Sequence, residues 1–495
     1  MAEPDAVEEL DVLIVGAGIS GIDGAWHLQK RCPGKRYRIL EARERIGGTW
    51  DLFRYPGIRS DSDMYTLGFP FRPWTGDKSI ADGADIRAYI EETARAFGID
   101  RQIRFRHRVT RAEWSSAEAR WSVEAETGEG TKHYRARFLY LGSGYYEYAQ
   151  GYRPEWPGEQ NYRGRFVHPQ FWPEDLDHAG RNIVVIGSGA TAVTLVPALA
   201  GTAAHVTMLQ RTPSWIVARP SEDGIARWLQ RWLPARAAAR TARLKNVLLG
   251  MLFFQRSRKR PEKVRALLLK WVREQLPGRD IETDFVPTYN PWDQRVCLVP
   301  DGDLFRAMRE ERVSVVTDTI ERFTKAGIRL ASGKELAADI VVTATGLIVK
   351  VLGGITIAVD GAPVNPAERI SYKGMMLNDV PNLVLSFGYT NASWTLKCDL
   401  TARYFCRLVN HMDKHGLDFC VPRLPAEGVD RQPMLDFSSG YVRRAAASLP
   451  GQGVKPPWRV YQNYFKDFAA LGLGTITDGV MEFRKACPEQ SRRAG

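Results

Sequence analysis

Two glycine-rich turns in this 495-residue chain are each followed, about 20 residues on, by a side chain of defined character. The first turn, Gly16-Ala17-Gly18-Ile19-Ser20-Gly21, leads to a strand ending in Glu41. The second, Gly187-Ser188-Gly189-Ala190-Thr191-Ala192, leads to a strand ending in Gln210-Arg211-Thr212. Glycine lets backbone N–H groups approach a pyrophosphate at a helix N-terminus, where the helix dipole favours the anion. An acid at the end of the next strand accepts hydrogen bonds from ribose hydroxyls, whereas an arginine there pairs with a 2′-phosphate. The contrast points to FAD or NAD at the first turn and NADPH at the second, the cofactor set of a two-electron flavoenzyme.

Two neighbouring segments are rich in residues that build sites. Residues 47–61 read Gly47-Gly48-Thr49-Trp50-Asp51-Leu52-Phe53-Arg54-Tyr55-Pro56-Gly57-Ile58-Arg59-Ser60-Asp61 and follow directly on the Glu41 strand. In such an architecture that loop covers the reactive end of the cofactor. The same residues also fit a self-contained loop in which Asp61 caps a short helix at Met64-Tyr65. Residues 162–173 carry Gly164, His168 and Trp172 just before the second turn. They read as a linker held by His168 and Trp172 rather than as a catalytic group.

The elements that must position these residues follow from the hydrophobic pattern. The run Val12–Val15, the first turn, a helix over about 20–31 and a strand to Glu41 form one βαβ unit. An amphipathic helix is expected over 84–97, and strands over 103–109, 112–114, 121–124 and 138–141. A second βαβ unit spans a strand at 183–186, a helix to about Leu199 and a strand at 205–210, with further strands at 339–345 and 382–387. The expected class is α/β, with two Rossmann-like dinucleotide-binding domains and a helical insertion. The first domain is expected over 1–147 and 378–495, the second over 148–218 and 291–377, and the insertion over 219–290.

Across nearly its whole length the chain resembles the type I Baeyer–Villiger monooxygenases. Residues 47–61 match their G-G-x-W-x-x-x-x-Y-P-G-x-x-x-D pattern, with Asp61 as the final acid. Residues 162–173 match F-x-G-x-x-x-H-x-x-x-W-P on Gly164, His168, Trp172 and Pro173, with Tyr162 in place of the Phe. The resemblance implies FAD, NADPH and molecular oxygen as reactants. It also implies conversion of ketones to esters or lactones through a C4a-peroxyflavin, with S-oxygenation of sulfides or thioamides alongside. Arg295 would be the catalytic arginine, its permanent charge holding an anionic oxygen, and Asp61 would fix its orientation. The flavin contacts it implies are Gly16, Gly18, Ser20, Gly21, Glu41, Thr49, Trp50, Asp51, Leu52, Asp61 and Val109. The NADPH contacts are Arg59, Ser60, Asp61, residues Gly187 to Ala192, Arg211 and Thr212. Some relatives place Lys before the arginine; Gln294 stands here, which leaves Arg211 and Thr212 more of the NADPH preference. The alternative is an N- or S-oxygenating flavin monooxygenase without ketone activity.

Composition narrows the class further. Six cysteines are scattered without a C-x-x-C pair, which excludes the motif of a zinc ribbon or a dithiol reductase. No metal is expected. The net charge of +12 comes with no helix-turn-helix, zinc-finger or RNP pattern, so no nucleic-acid partner is expected and the partner is a small ketone or sulfide. No run of about 18 apolar residues and no secretory leader pattern is present, so a cytoplasmic location is expected. Much of the charge lies between Arg219 and Arg279, where sixteen Lys and Arg accompany four Asp and Glu, interleaved with Trp228, Trp232, Leu248, Leu249, Phe253, Phe254 and Trp271. Two arrangements fit: a solvated face whose apolar stripe packs on the nucleotide domain, or a basic amphipathic surface resting on an anionic membrane. Oligomeric state is not legible.

Overall fold

The computed structural model describes residues 7–435 and 437–486, so Cys487 lies outside the described residues. The first βαβ unit forms as the pattern predicts. Strand Glu8–Val15 lies between Tyr37–Glu41 and Gly130–Leu141, parallel to both. Its apolar end is buried, as a strand covered on both faces requires. Helix Ile19–Arg31 packs on this sheet and against the long helix Trp394–His415. A buried polar group ties the two helices: His27 Nε2 lies 2.9 Å from Asp399 Oδ1, and burial raises the pKa of Asp23 beside them.

The second sheet is wholly parallel, in the order Val313–Thr317, His205–Gln210, Asn182–Ile186, Ile340–Thr343, Arg165–Val167. Its N-terminal helix is Ala190–Leu199. Two chain segments join the sheets and cross as an antiparallel pair. Glu147 N donates to Ile348 O, Lys350 N donates to Tyr145 O, and Tyr146 bridges Val349.

Several boundaries move. Strand Thr356–Val359 pairs with Arg108–Ser115 in the first sheet, and Tyr372, Met375 and Met376 pack in the first core. The chain therefore re-enters the first domain soon after Thr343, not at 378; the short strands of 356–377 carry too weak a pattern to betray their partner. The two strands expected at 103–109 and 112–114 divide elsewhere, at Arg106, whose φ is +59°, giving Ile103–Phe105 and Arg108–Ser115 with a bulge near Val109. The insertion is three helices, Gly224–Trp232, Ala235–Lys259 and Pro261–Gln275, broken at Pro234 and Pro261.

Candidate active site

Between the two sheets lies a cavity of about 1550 Å³. Pockets for one small ligand run to about 300–1,000 Å³, so the space suits two long ligands or one with a substrate. Both glycine turns reach it. Gly18 and Gly189 are the N-caps of their helices, offer no side-chain cap, and line the cavity. The N–H groups of each first turn thus remain available to an anion. Gly16 holds φ +98°, and a Cβ there would lie 2.8 Å from Gly142 O; at Gly187, with φ +135°, it would lie 2.3 Å from Ala344 O. Only glycine fits these crossings. At Gly189 a Cβ would meet nothing within 4 Å and would project into open space.

The two charge markers stand where the sequence places them. Glu41 is buried on the cavity wall; Oε2 accepts from Ala17 N at 2.7 Å and Oε1 from Arg43 N at 2.9 Å. Burial raises its pKa, and the two N–H donors oppose that shift. Arg211 also lines the cavity, exposed and without an ion pair among the described residues, beside Thr212. Glycines, paired acceptor and free cation fit a flavin dinucleotide on one side and a phosphorylated nicotinamide dinucleotide on the other.

Asp61 and Arg295 meet in this cavity. Arg295 Nη1 is 2.8 Å from Asp61 Oδ2, each side chain about a third exposed (35 % and 32 %), and both line the cavity. The Asp61 charge raises the Arg295 pKa above its already high value, so the guanidinium is a fixed cation. Asp61 does not cap the following helix. Asp63 does, its Oδ1 accepting from Thr66 N at 3.0 Å, which leaves Asp61 to the arginine. An aromatic wall stands beside the pair. Tyr145 stacks on Trp394, their centroids 5.3 Å apart, and the Tyr145 and Tyr146 hydroxyls are 2.9 Å apart. Burial pushes the Tyr146 hydroxyl up to about 12, so it stays a neutral donor. Tyr441 completes the group around Arg295.

Most expected contacts reach the cavity: Gly16, Gly18, Ser20, Glu41, Thr49, Trp50, Val109, Arg59, Ser60, Asp61, Gly187, Ser188, Gly189, Ala190, Thr191, Arg211 and Thr212. Four do not line it. Asp51 is buried beneath Arg43 (2.7 Å) and Arg54 (3.0 Å), pairing that holds its pKa down against desolvation. Leu52 and Ala192 belong to the second core. Gly21 packs against its own turn, where a Cβ would lie 1.9 Å from Gly16 O. Arg59 lines the cavity but is bound to Asp303 at 2.5 Å. Ser188 Oγ donates to Thr212 O at 3.1 Å and so ties the second turn to the arginine strand.

Gly164, His168 and Trp172 do not line the cavity and lie in the linker. A Cβ at Gly164 would lie 2.4 Å from Asp339 O. His168 Nδ1 accepts from Gln170 N at 3.2 Å, and Gln170 in turn donates to Glu147 O and Tyr148 O in the crossing segment. Trp172 packs at the edge of the second core. The sequence reading missed Tyr145, Tyr146, Trp394 and Tyr441. The Tyr-Tyr pair after Gly142-Ser143-Gly144, just past the strand end at 141, is the available signal; nothing local marks Tyr441.

Comparison with known proteins bears on the family and the fold. A flavin-binding monooxygenase-like family model matches residues 74–237, and an NAD(P)-binding Rossmann-like domain model matches 14–75. The chain is 55% identical over 480 residues, 97% of its length and 98% of the relative's, to the FAD-containing monooxygenase EthA of Mycobacterium tuberculosis (strain ATCC 25618 / H37Rv). It is 47% identical to a probable FAD-binding monooxygenase, AlmA, of Acinetobacter sp, over 98% of each. Among solved structures it shares the fold of an oxidized steroid monooxygenase bound to NADP (TM-score 0.75, 20% identity, 96% of this chain and 100% of that one). It also shares that of cyclohexanone monooxygenase from Rhodococcus sp. Phi1 bound to NADP+ (TM-score 0.74, 21% identity, 97% and 100%).

Proposed function

The chain belongs to the FAD-containing monooxygenases, and from that premise we propose that it uses NADPH and O₂ to convert ketones to esters or lactones and to oxygenate sulfides or thioamides. The observation that carries this reading is the Asp61–Arg295 pair at 2.8 Å in a cavity shared by both dinucleotide cradles.

FAD, held by the first turn and Glu41, supplies activated oxygen when bound. The chain's own residues do the rest. Arg211 and Thr212 select a nicotinamide dinucleotide that bears a 2′-phosphate. Arg295 presents fixed N–H donors to the anionic oxygen that develops when a carbonyl carbon becomes tetrahedral. Asp61 keeps that fork in one orientation, since a carboxylate–guanidinium pair is directional. Tyr145, Tyr146, Trp394 and Tyr441 exclude water and offer an apolar wall to the substrate, which strengthens each charge interaction inside. The reaction partner is a small molecule. The membrane contact expected of the basic helices is a separate proposal.

The rival is oxygenation of nitrogen or sulfur alone, which develops no carbonyl oxyanion and has no use for a cation held as Arg295 is. A panel of ketones, sulfides and amines separates the two, with NADPH consumption and product identity both followed. Ester formation supports the reading; turnover of amines and sulfides without any ester contradicts it.

A further inference from the structure

Between Gly224 and Pro261 the chain carries ten Lys and Arg and no Asp or Glu. The same stretch exposes large apolar side chains in two rows. Ile225, Trp228 and Trp232 recur along helix Gly224–Trp232, and Leu244, Leu248 and Leu252 along helix Ala235–Lys259, all between 42 % and 73 % exposed. Spacings of three and four residues place each row on one helix face. The opposite faces are anchored: Ala226 and Ala242 are buried together against Tyr65. The helices also run side by side, with Asp223, the N-cap of the first, bound to Lys245 and Asn246 of the second. Both apolar rows therefore turn away from the protein, onto one outer surface. The alternative arrangement, with the stripe packed on the nucleotide domain, holds for Val264 and Leu268 of the third helix but not for these six residues.

The charges on this surface are largely uncommitted. Arg231, Arg236, Arg240, Arg256, Lys259 and Arg260 are exposed and make no ion pair among the described residues. We propose that this helical pair docks on an anionic lipid bilayer, its tryptophans and leucines entering the headgroup boundary and its arginines meeting lipid phosphates. Basic helices with a Trp and Leu face bind in this way, lying in the plane of the interface. No helix among the described residues is long and apolar enough to cross a membrane, which fits a surface contact. A second copy of the chain is a poor occupant, because two such surfaces would bring ten cations against ten with no acid in the segment. Nucleic acid would satisfy the arginines but would leave the leucine row against water. The proposal does not depend on the reaction assigned above.

The test is flotation of the intact FAD-loaded protein with vesicles of phosphatidylglycerol and phosphatidylcholine, compared with phosphatidylcholine alone. Docking predicts retention on the anionic vesicles only, and release as salt shortens the screening length. It also predicts a loss of roughly tenfold or more for Trp228→Ser with Trp232→Ser, and for Arg236→Gln with Arg240→Gln. The variants should keep their flavin absorbance and NADPH oxidation. Equal retention on both vesicles, or on neither, overturns the proposal. So does tighter capture by duplex DNA at the same salt, or a dimer in solution that the tryptophan variant abolishes.

Discussion

Asp61, on the loop that leaves the first dinucleotide fold, holds Arg295, on the segment that returns from the helical insertion, at 2.8 Å. The insertion braces both partners. Helix Ala235–Lys259 sends Arg243 to the carbonyls of Tyr65, Thr66 and Gly68 and Asn246 to Asp63 on the first side. On the other side it sends Arg258 to Asp293 and packs Phe254 on Trp292. The pair is thus set by three parts of the chain.

Arg295→Ala should still allow NADPH to reduce the flavin. Ester formation from ketones should fall by about 10² or more, the range for removing a donor from a developing oxyanion. Sulfide oxygenation, which forms no carbonyl oxyanion, should fall less. Rapid-mixing absorbance and product analysis check both halves.

Asp61→Asn keeps the shape of the acid and removes its charge. Arg295 then loses its orienting partner, and NADPH oxidation should run ahead of product, with the difference appearing as hydrogen peroxide. The ratio of ester to NADPH consumed is the readout, and Asp61→Glu should recover part of it.

Arg211→Ala should erode the preference for NADPH over NADH by about tenfold. That is the low end for hydrogen bonds to a charged group, because this side chain is exposed. The ratio of kcat/KM values for the two cofactors measures it. Gly187→Ala should raise the KM for NADPH while FAD content is kept, because its Cβ would lie 2.3 Å from Ala344 O in the second domain.

The two cradles were legible because a βαβ unit fixes the distance from glycine turn to strand end. Glu41 and Arg211 could be placed from spacing alone. The Asp61–Arg295 contact depends on the insertion that braces both sides, so only family resemblance pointed to it. Misplaced contacts have a local cause. In the single turn Thr49–Leu52, Thr49 and Trp50 face the cavity while Asp51 and Leu52 point into arginines and core, a division set by about 100° per residue that a linear motif does not show. Tyr441 comes from a C-terminal segment with no motif of its own. The domain boundary near 378 failed because strand Thr356–Val359 pairs with a partner far back in the chain.

His168 gives a pH dependence. Burial lowers its pKa from 6.5, and its Nδ1 accepts from Gln170 N, so the fold requires the neutral ring. The unfolded chain takes up the proton first as pH falls. The stabilisation is therefore complete above about pH 6.5 and is lost as pH drops through the lowered folded value. The melting temperature should decline over that window, and His168→Gln should flatten the slope. Buried His27 and part-buried His411, lowered in the same direction, add to the slope.

In the proposed reaction one oxygen atom from O₂ enters a ketone for each NADPH oxidised. Turnover of a ketone panel under ¹⁸O₂, with mass analysis of the product and NADPH counted in parallel, tests it most directly. The expected product is an ester or lactone carrying a single ¹⁸O per NADPH consumed, formed about a hundredfold or more slower in Arg295→Ala. An unlabelled product, or ester formation at an undiminished rate in Arg295→Ala, overturns the assignment.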